Sequence, residues 1–134
     1  MWQELGELRH QAYANEHLGV VAIWQGDLLS GRARLDQSLS TFVELGDLVE
    51  IVQAFPMYAK LFAAQGHYER VVRVLGAMSA PFRPMVGIPL RSSVERHLVS
   101  AGAALGPEVV SVAWSEGQAM SLDQAVAYAL SQDA

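Results

Sequence analysis

Residues 44–48 read Glu44-Leu45-Gly46-Asp47-Leu48, and forty positions earlier the run is Glu4-Leu5-Gly6-Glu7-Leu8. A second pair has the same offset: Gln25-Gly26-Asp27-Leu28 and Gln65-Gly66-His67-Tyr68. The glycines at 6, 26, 46 and 66 thus keep a spacing of 20, each followed by a polar residue: Glu7, Asp27, Asp47 or His67. Glycine just past a helix end takes the left-handed conformation without a Cβ penalty. A carboxylate directly after it accepts from the orphan N–H groups that open the next helix. Glycine and a polar residue at this pitch predict helix stop, helix start, with helices of about 16–18 residues between. Two alternating helix types, each seen twice, predict helical hairpins with a period of 40.

Within each segment the apolar residues follow a helical period. Leu48, Ile51, Val52, Phe55, Tyr58, Ala59 and Phe62 recur at i, i+3, i+4 and i+7, as do Val71, Val72, Leu75 and Met78. No stretch alternates with period two over six residues, which predicts no sheet. Pro81-Phe82-Arg83-Pro84 ends this pattern and opens a loop, 81–90, containing Gly87 and Pro89. Ser92-x-x-Glu95 reads as a capping box starting a helix to Leu105. Pro107 suits the first position of the next helix, which Gly117 ends. Ser121-x-x-Gln124 is a second capping box, opening a last helix over Leu122–Leu130. Trp114 and Val110 share the apolar stripe of the penultimate helix, as core of the closing cap. The expected fold is all-α: a right-handed stack of antiparallel helical hairpins, about seven helices, in one domain over 1–134. Two hairpins occupy 1–80, and capping helices occupy 91–134.

Composition agrees with a packed domain. The chain has 134 residues, 51% of them apolar, with 11 Gly and 5 Pro, which excludes disordered and collagen-like classes. Absence of cysteine excludes a disulfide framework and thiolate metal sites. A net charge of −5 with no Lys/Arg cluster argues against direct nucleic-acid binding. No apolar run approaches the roughly 20 residues that span a bilayer, so no membrane partner is expected. Met1-Trp2-Gln3-Glu4-Leu5-Gly6-Glu7 lacks the basic and apolar regions of a signal peptide, so a cytoplasmic location is the expectation.

Leu18-Gly19, Ala22, Gly26-Asp27, Gly31, Leu35 and Ser38-Leu39 stand at the spacing of the packing residues of the tetratricopeptide repeat, which the chain resembles. Tyr58-Ala59, Phe62, Gly66, Val71, Leu75 and Met78 keep that spacing in the second hairpin, with Ala59, Val71 and Met78 where small residues are usual in the family. The 40-residue form, together with the tail from Trp114 to Val126, resembles the C-terminal region of large bacterial signal-transducing ATPases, many of them LuxR-type transcriptional regulators. That resemblance implies an interaction or regulatory module whose ATPase and DNA-binding parts lie elsewhere. No phosphate-binding loop and no basic recognition helix stand in this chain.

The sequence carries no catalytic motif such as Gly-x-Ser-x-Gly or His-Glu-x-x-His, and the expectation is no enzyme and no cofactor. His10 and His17 share a helix face but lack a third ligand, so no metal site is expected. His67 reads as a turn residue, and His97 as part of a polar face. Asp27 and Asp47 read as helix caps, and the structural turns as Gly6, Gly26, Gly46 and Gly66. By the resemblance, the first helix of each hairpin lines a groove, with Tyr13, Glu16, His17, Val20, Ile23 and Trp24 inward, then Gln53, Pro56, Met57, Lys60 and Ala64. The family's clamp for a peptide's C-terminal carboxylate uses Lys, Arg and Asn at these places; only Lys60 fits, which argues against that ligand there. The groove suits an amphipathic helix or apolar peptide. Ile23 and Trp24 can equally be core between hairpins. Pro56 predicts a kink with the freed Val52 carbonyl facing water. The expected partner is a protein or peptide, or other domains of the parent chain. The alternatives are a small-molecule sensor built around Trp24 and Met57, or a homodimer joined through the N-terminal end and Trp2. That end matches only the last residues of a hairpin, so a fragment of a longer array is the first expectation.

Overall fold

Gly26, Gly46 and Gly66 have left-handed φ values of 84°, 67° and 80° and divide the first part of the chain into four helices. These are α1 (Trp2–Trp24), α2 (Leu28–Leu45), α3 (Leu48–Ala64) and α4 (Tyr68–Met78). Further on stand α5 (Ile88–Leu105), α6 (Pro107–Gln118) and α7 (Leu122–Leu130). The structure is a computed structural model describing the backbone of residues 2–78 and 88–131 and the side chains of 4–78 and 96–131. Among the described residues there is no strand, and the chain is all-α.

The three turns are built identically. Each glycine N–H reaches the carbonyl three residues back, Ile23, Val43 or Ala63, at 3.0–3.1 Å. The following N–H reaches the carbonyl five back, Ala22, Phe42 or Phe62, at 2.8–3.1 Å. This pair satisfies the last carbonyls of one helix while the chain reverses into the next. Asp27 then caps α2, its carboxylate accepting from the Ser30 N–H at 3.2 Å. Asp47 stands at the same place ahead of α3 but makes no capping bond. Its carboxylate pairs with the Arg9 guanidinium of α1 instead, a charged donor displacing a neutral amide.

Several boundaries differ from the sequence expectation. Gly6 is no turn: α1 runs unbroken through it for 23 residues, and its φ is not positive. An internal glycine costs about 1 kcal/mol relative to alanine, and the helix formers around it (Gln3, Glu4, Leu5, Glu7, Leu8, Arg9) outweigh that. The loop expected over 81–90 is shorter at its far end, because α5 begins at Ile88. Pro89 sits in the first turn of α5, where its missing N–H has no intrahelical partner to lose. Ser92 therefore lies within the helix and not at its N-cap; the rest of that loop, 81–87, lies outside the described residues, as does the Trp2 side chain. Gly117 does not end α6, which continues to Gln118. A Cβ on Gly117 would stand 2.0 Å from the Arg73 carbonyl oxygen, and one on Gly76 2.5 Å from that of Trp114. Both glycines are there so that α4 and α6 can approach backbone to backbone. Pro107 occupies the first turn of α6, and Ser121 with Gln124 forms the reciprocal capping box of α7, at 3.1 and 2.9 Å.

The core fills from the inner stripes of α2, α3 and α4: Leu35, Leu39, Phe42, Phe55, Tyr58, Phe62 and Leu75 are fully or nearly fully buried. Pro56 is buried among them, so it lines no groove, and α3 runs through it from Leu48 to Ala64. Trp114 packs against both this cluster and a smaller one of Val72, Ala101 and Ala113. α1 lies antiparallel on α2 with Gly19 and Gly31 at the crossing, where a Cβ on Gly31 would meet the Ile23 side chain at 2.7 Å. The C-terminal end of α7 is held by two arginines, Arg32 of α2 and Arg70 of α4, which donate to its last carbonyls.

Candidate partner-binding face

α1 and α3 lie side by side and parallel. Arg9 meets Asp47, Tyr13 meets Glu50 and Trp24 meets Lys60, the pairs advancing in the same direction along both helices. On α1 the residues facing this seam, Arg9, Tyr13, Glu16, Val20 and Trp24, recur at i, i+4, i+7, i+11 and i+15, one face of a helix.

At the middle of the seam, the Tyr13 hydroxyl donates to Glu50 Oε1 at 2.9 Å. Its ring stands edge-on to Phe42, centroids 5.3 Å apart. Burial and the Glu50 carboxylate push the Tyr13 phenol above its ordinary pKa. Glu16, one turn on, is half-buried, and its Oε2 has no hydrogen-bond partner. Burial, and then the charge of Glu50, raise its pKa from 4.5 to about 7. The pair therefore holds one carboxylate with a phenol donor and a second without one.

Toward the other end, Trp24 is 74% exposed. The Lys60 ammonium stands 5.8 Å from its ring centroid, within cation–π range. Val20, Gln53, Met57 and Lys60 are half-buried, with Met57 packed on the main core; His17 and Ala64 are exposed. Ile23, left open between groove and core, belongs to the core at 8% exposure. The structure thus brings Tyr13, Glu16 and Glu50 together, and separately Trp24 and Lys60. His97 of α5, expected on a polar face, is half-buried, and burial with the nearby charges of Lys60 and Arg96 lowers its pKa.

Sequence reasoning passed over Arg9, Glu50 and the buried arginines. Glu50 was within reach of the 40-residue period, which sets position 13 beside position 53 and hence beside the turn holding Glu50. Arg70 carries a signal too: it shares the i, i+4, i+7 stripe of Val74 and Ala77, both buried. Arg32 likewise heads the stripe of Leu35, Leu39 and Phe42.

The α1–α3 seam offers recognition chemistry: an exposed indole, an ammonium group, and a carboxyl that changes charge near neutrality. Among the described residues no group of three or more His, Asp or Glu is placed to hold a metal ion, and no helix is long and apolar enough to cross a membrane. No family model matches the chain, and no curated protein or solved structure is significantly similar to it.

Proposed function

We propose that the chain is an interaction module, a stack of helical hairpins of the tetratricopeptide kind, that holds a protein or peptide segment against the α1–α3 face. Trp24 carries this reading. A tryptophan left 74% in water beside a lysine and the half-buried Val20 and Met57 has the make-up of an interface anchor. The half-buried polar residues around it supply the rim that such anchors have. The resemblance of the tail from Trp114 to Val126 supports a setting within a larger bacterial transcriptional regulator.

The test is affinity selection of a displayed peptide library on the immobilised full chain. Peptides enriched by the protein should lose about tenfold or more in affinity for Trp24→Ala, whose circular dichroism stays unchanged. Equal capture by Trp24→Ala, or no enrichment at all, rejects the reading. A second reading, homo-oligomerisation, is supported by Leu8, Leu18 and Val21, which are 39%, 48% and 42% exposed on α1. Light scattering across a concentration series decides it: a dimer dissolved by Leu18→Glu supports it, and a monomer throughout excludes it.

A further inference from the structure

Away from the α1–α3 seam, a cavity of about 340 Å³ opens between α2, the α3–α4 turn and the start of α4. Leu29, Arg32, Asp36, Gln65, His67 and Arg70 line it. Among the described residues the two arginines are the most buried charges, at 9% and 2% exposure. Arg70 is in cation–π contact with two rings, its guanidinium carbon 4.1 Å from the Phe62 centroid and 4.9 Å from that of Tyr128. Its Nη2 donates to the Tyr128 and Ser131 carbonyls, both at 2.7 Å. Arg32 Nη2 donates to the Ala129 carbonyl at 3.1 Å and to that of Ser131 at 2.6 Å. Closing the negative end of α7 is a structural role, and it accounts for one nitrogen of each guanidinium.

Much of the rest has no hydrogen-bond partner. Seven side-chain polar atoms among the described residues are buried with no hydrogen-bond partner, and five of them belong to residues of this one cavity: Arg32 Nε, Gln65 Oε1, His67 Nδ1, and Arg70 Nε and Nη1. Native proteins pair nearly all such groups, with protein or with bound water or ions, so their collection around a single cavity calls for a partner there. Gln65 Oε1 is an acceptor and Arg32 Nε already has the Asp36 carboxylate beside it, so the demand rests on the two Arg70 donors, Nε and Nη1, whose missing partner is an acceptor. Two guanidinium groups face one carboxylate, Asp36, which lies 3.5 Å from Arg32 Nε and accepts from the Tyr58 hydroxyl at 2.6 Å. Among the described residues the surplus is one positive charge, which fits a monoanion and disfavours a phosphate dianion beside Asp36. The volume lies in the lower range of small-molecule pockets. Leu29, 87% exposed at the edge, offers an apolar surface to a carbon chain.

We infer that this cavity binds a small carboxylic acid as its carboxylate. Arg32 and Arg70 supply the charge, and the Gln65 side-chain amide N–H and the His67 ring N–H the flanking donors. The site is independent of the α1–α3 face and of any partner there.

Titration of the full chain with sodium acetate, at ionic strength held constant with chloride, tests it by NMR of the arginine Nε–H groups. The Arg70 Nε–H resonance should shift saturably, and the unfolding temperature should rise in parallel, as expected for a ligand that binds only the folded state. Gln65→Leu and His67→Ala leave both arginines and the α7 closure in place. Each should weaken acetate binding roughly tenfold, the loss of one hydrogen bond to a charged group. Three results overturn the inference: chloride alone reproduces the shifts, phosphate binds and acetate does not, or both variants bind acetate as the native chain does.

Discussion

Replacing Glu16 by glutamine should make the protein more stable near pH 8 and leave it unchanged near pH 4. The folded chain holds this carboxyl at about 7 against an ordinary 4.5, because burial and the neighbouring Glu50 disfavour its charge. Below about pH 4.5 the group is protonated whether the chain is folded or unfolded, and it carries no penalty. As pH rises from there, the unfolded chain ionises first, so unfolding releases a proton and stability falls. Above about pH 7 both forms are ionised and the penalty is constant. Fully expressed, a displacement of that size corresponds to about 3 kcal/mol. Glu16 is only partly buried, so solvent screening reduces this to about 1–2 kcal/mol. Glutamine keeps the shape of the side chain and loses the charge. Urea unfolding of both proteins, followed by circular dichroism across this pH range, gives the stability difference at each pH. That difference should be near zero at the acid end, grow through the window from 4.5 to 7, and then level off. Asp36, raised by its own burial, titrates in both proteins and cancels from the comparison. A difference that is flat with pH, or that favours the native chain at pH 8, would refute the argument that an unpartnered buried carboxyl sits at this seam.

Gly117→Ala should destabilise by about 2–3 kcal/mol, because its Cβ falls on the Arg73 backbone and must drive α4 and α6 apart; thermal unfolding reads it, and an unchanged midpoint would mean the helices are not in this contact. Gly6→Ala should stabilise by about 0.5–1 kcal/mol, since Gly6 is inside a helix with nothing within 4 Å of a Cβ; loss of stability would show that a left-handed turn stands there after all. Asp27→Ala should cost about 1 kcal/mol, as the loss of a helix cap. Asp47→Ala should cost less, about 0–1 kcal/mol, because only a surface pair with Arg9 is lost. Chemical denaturation separates these two, and equal costs would show that Asp47 caps its helix in solution.

The glycine ruler made most of the helix boundaries legible, because a Schellman turn demands positive φ and only glycine adopts it without strain. The same logic misled at Gly6 and Gly117. Glycine also occurs inside helices, and its two reasons for being there look alike in a sequence. At Gly6 nothing demands glycine sterically, and the helix passes through. At Gly76 and Gly117 a neighbouring backbone demands it, and that neighbour is a different helix, far along the chain. Spacing along the chain reports turns; it does not report which helices touch. The capping box at Ser121 was readable, because both halves of it lie within four residues.

For the same reason the candidate sites divide unevenly. Tyr13, Glu16, Val20 and Trp24 follow from the resemblance to the tetratricopeptide repeat, and their spacing is that of one helix face. What Tyr13 and Glu16 do there depends on Glu50, a contact 37 residues away for Tyr13. The arginine cavity depends on longer links still: Arg32 bonds to the end of α7 across 97 and 99 residues, and Arg70 across 58 and 61. Yet each arginine stands on an apolar stripe, where a charge is costly unless something meets it. An arginine out of pattern on a core-facing stripe therefore predicts a distant acceptor. Here the carbonyls of α7 answer part of that demand, and the atoms they leave unpaired define the site.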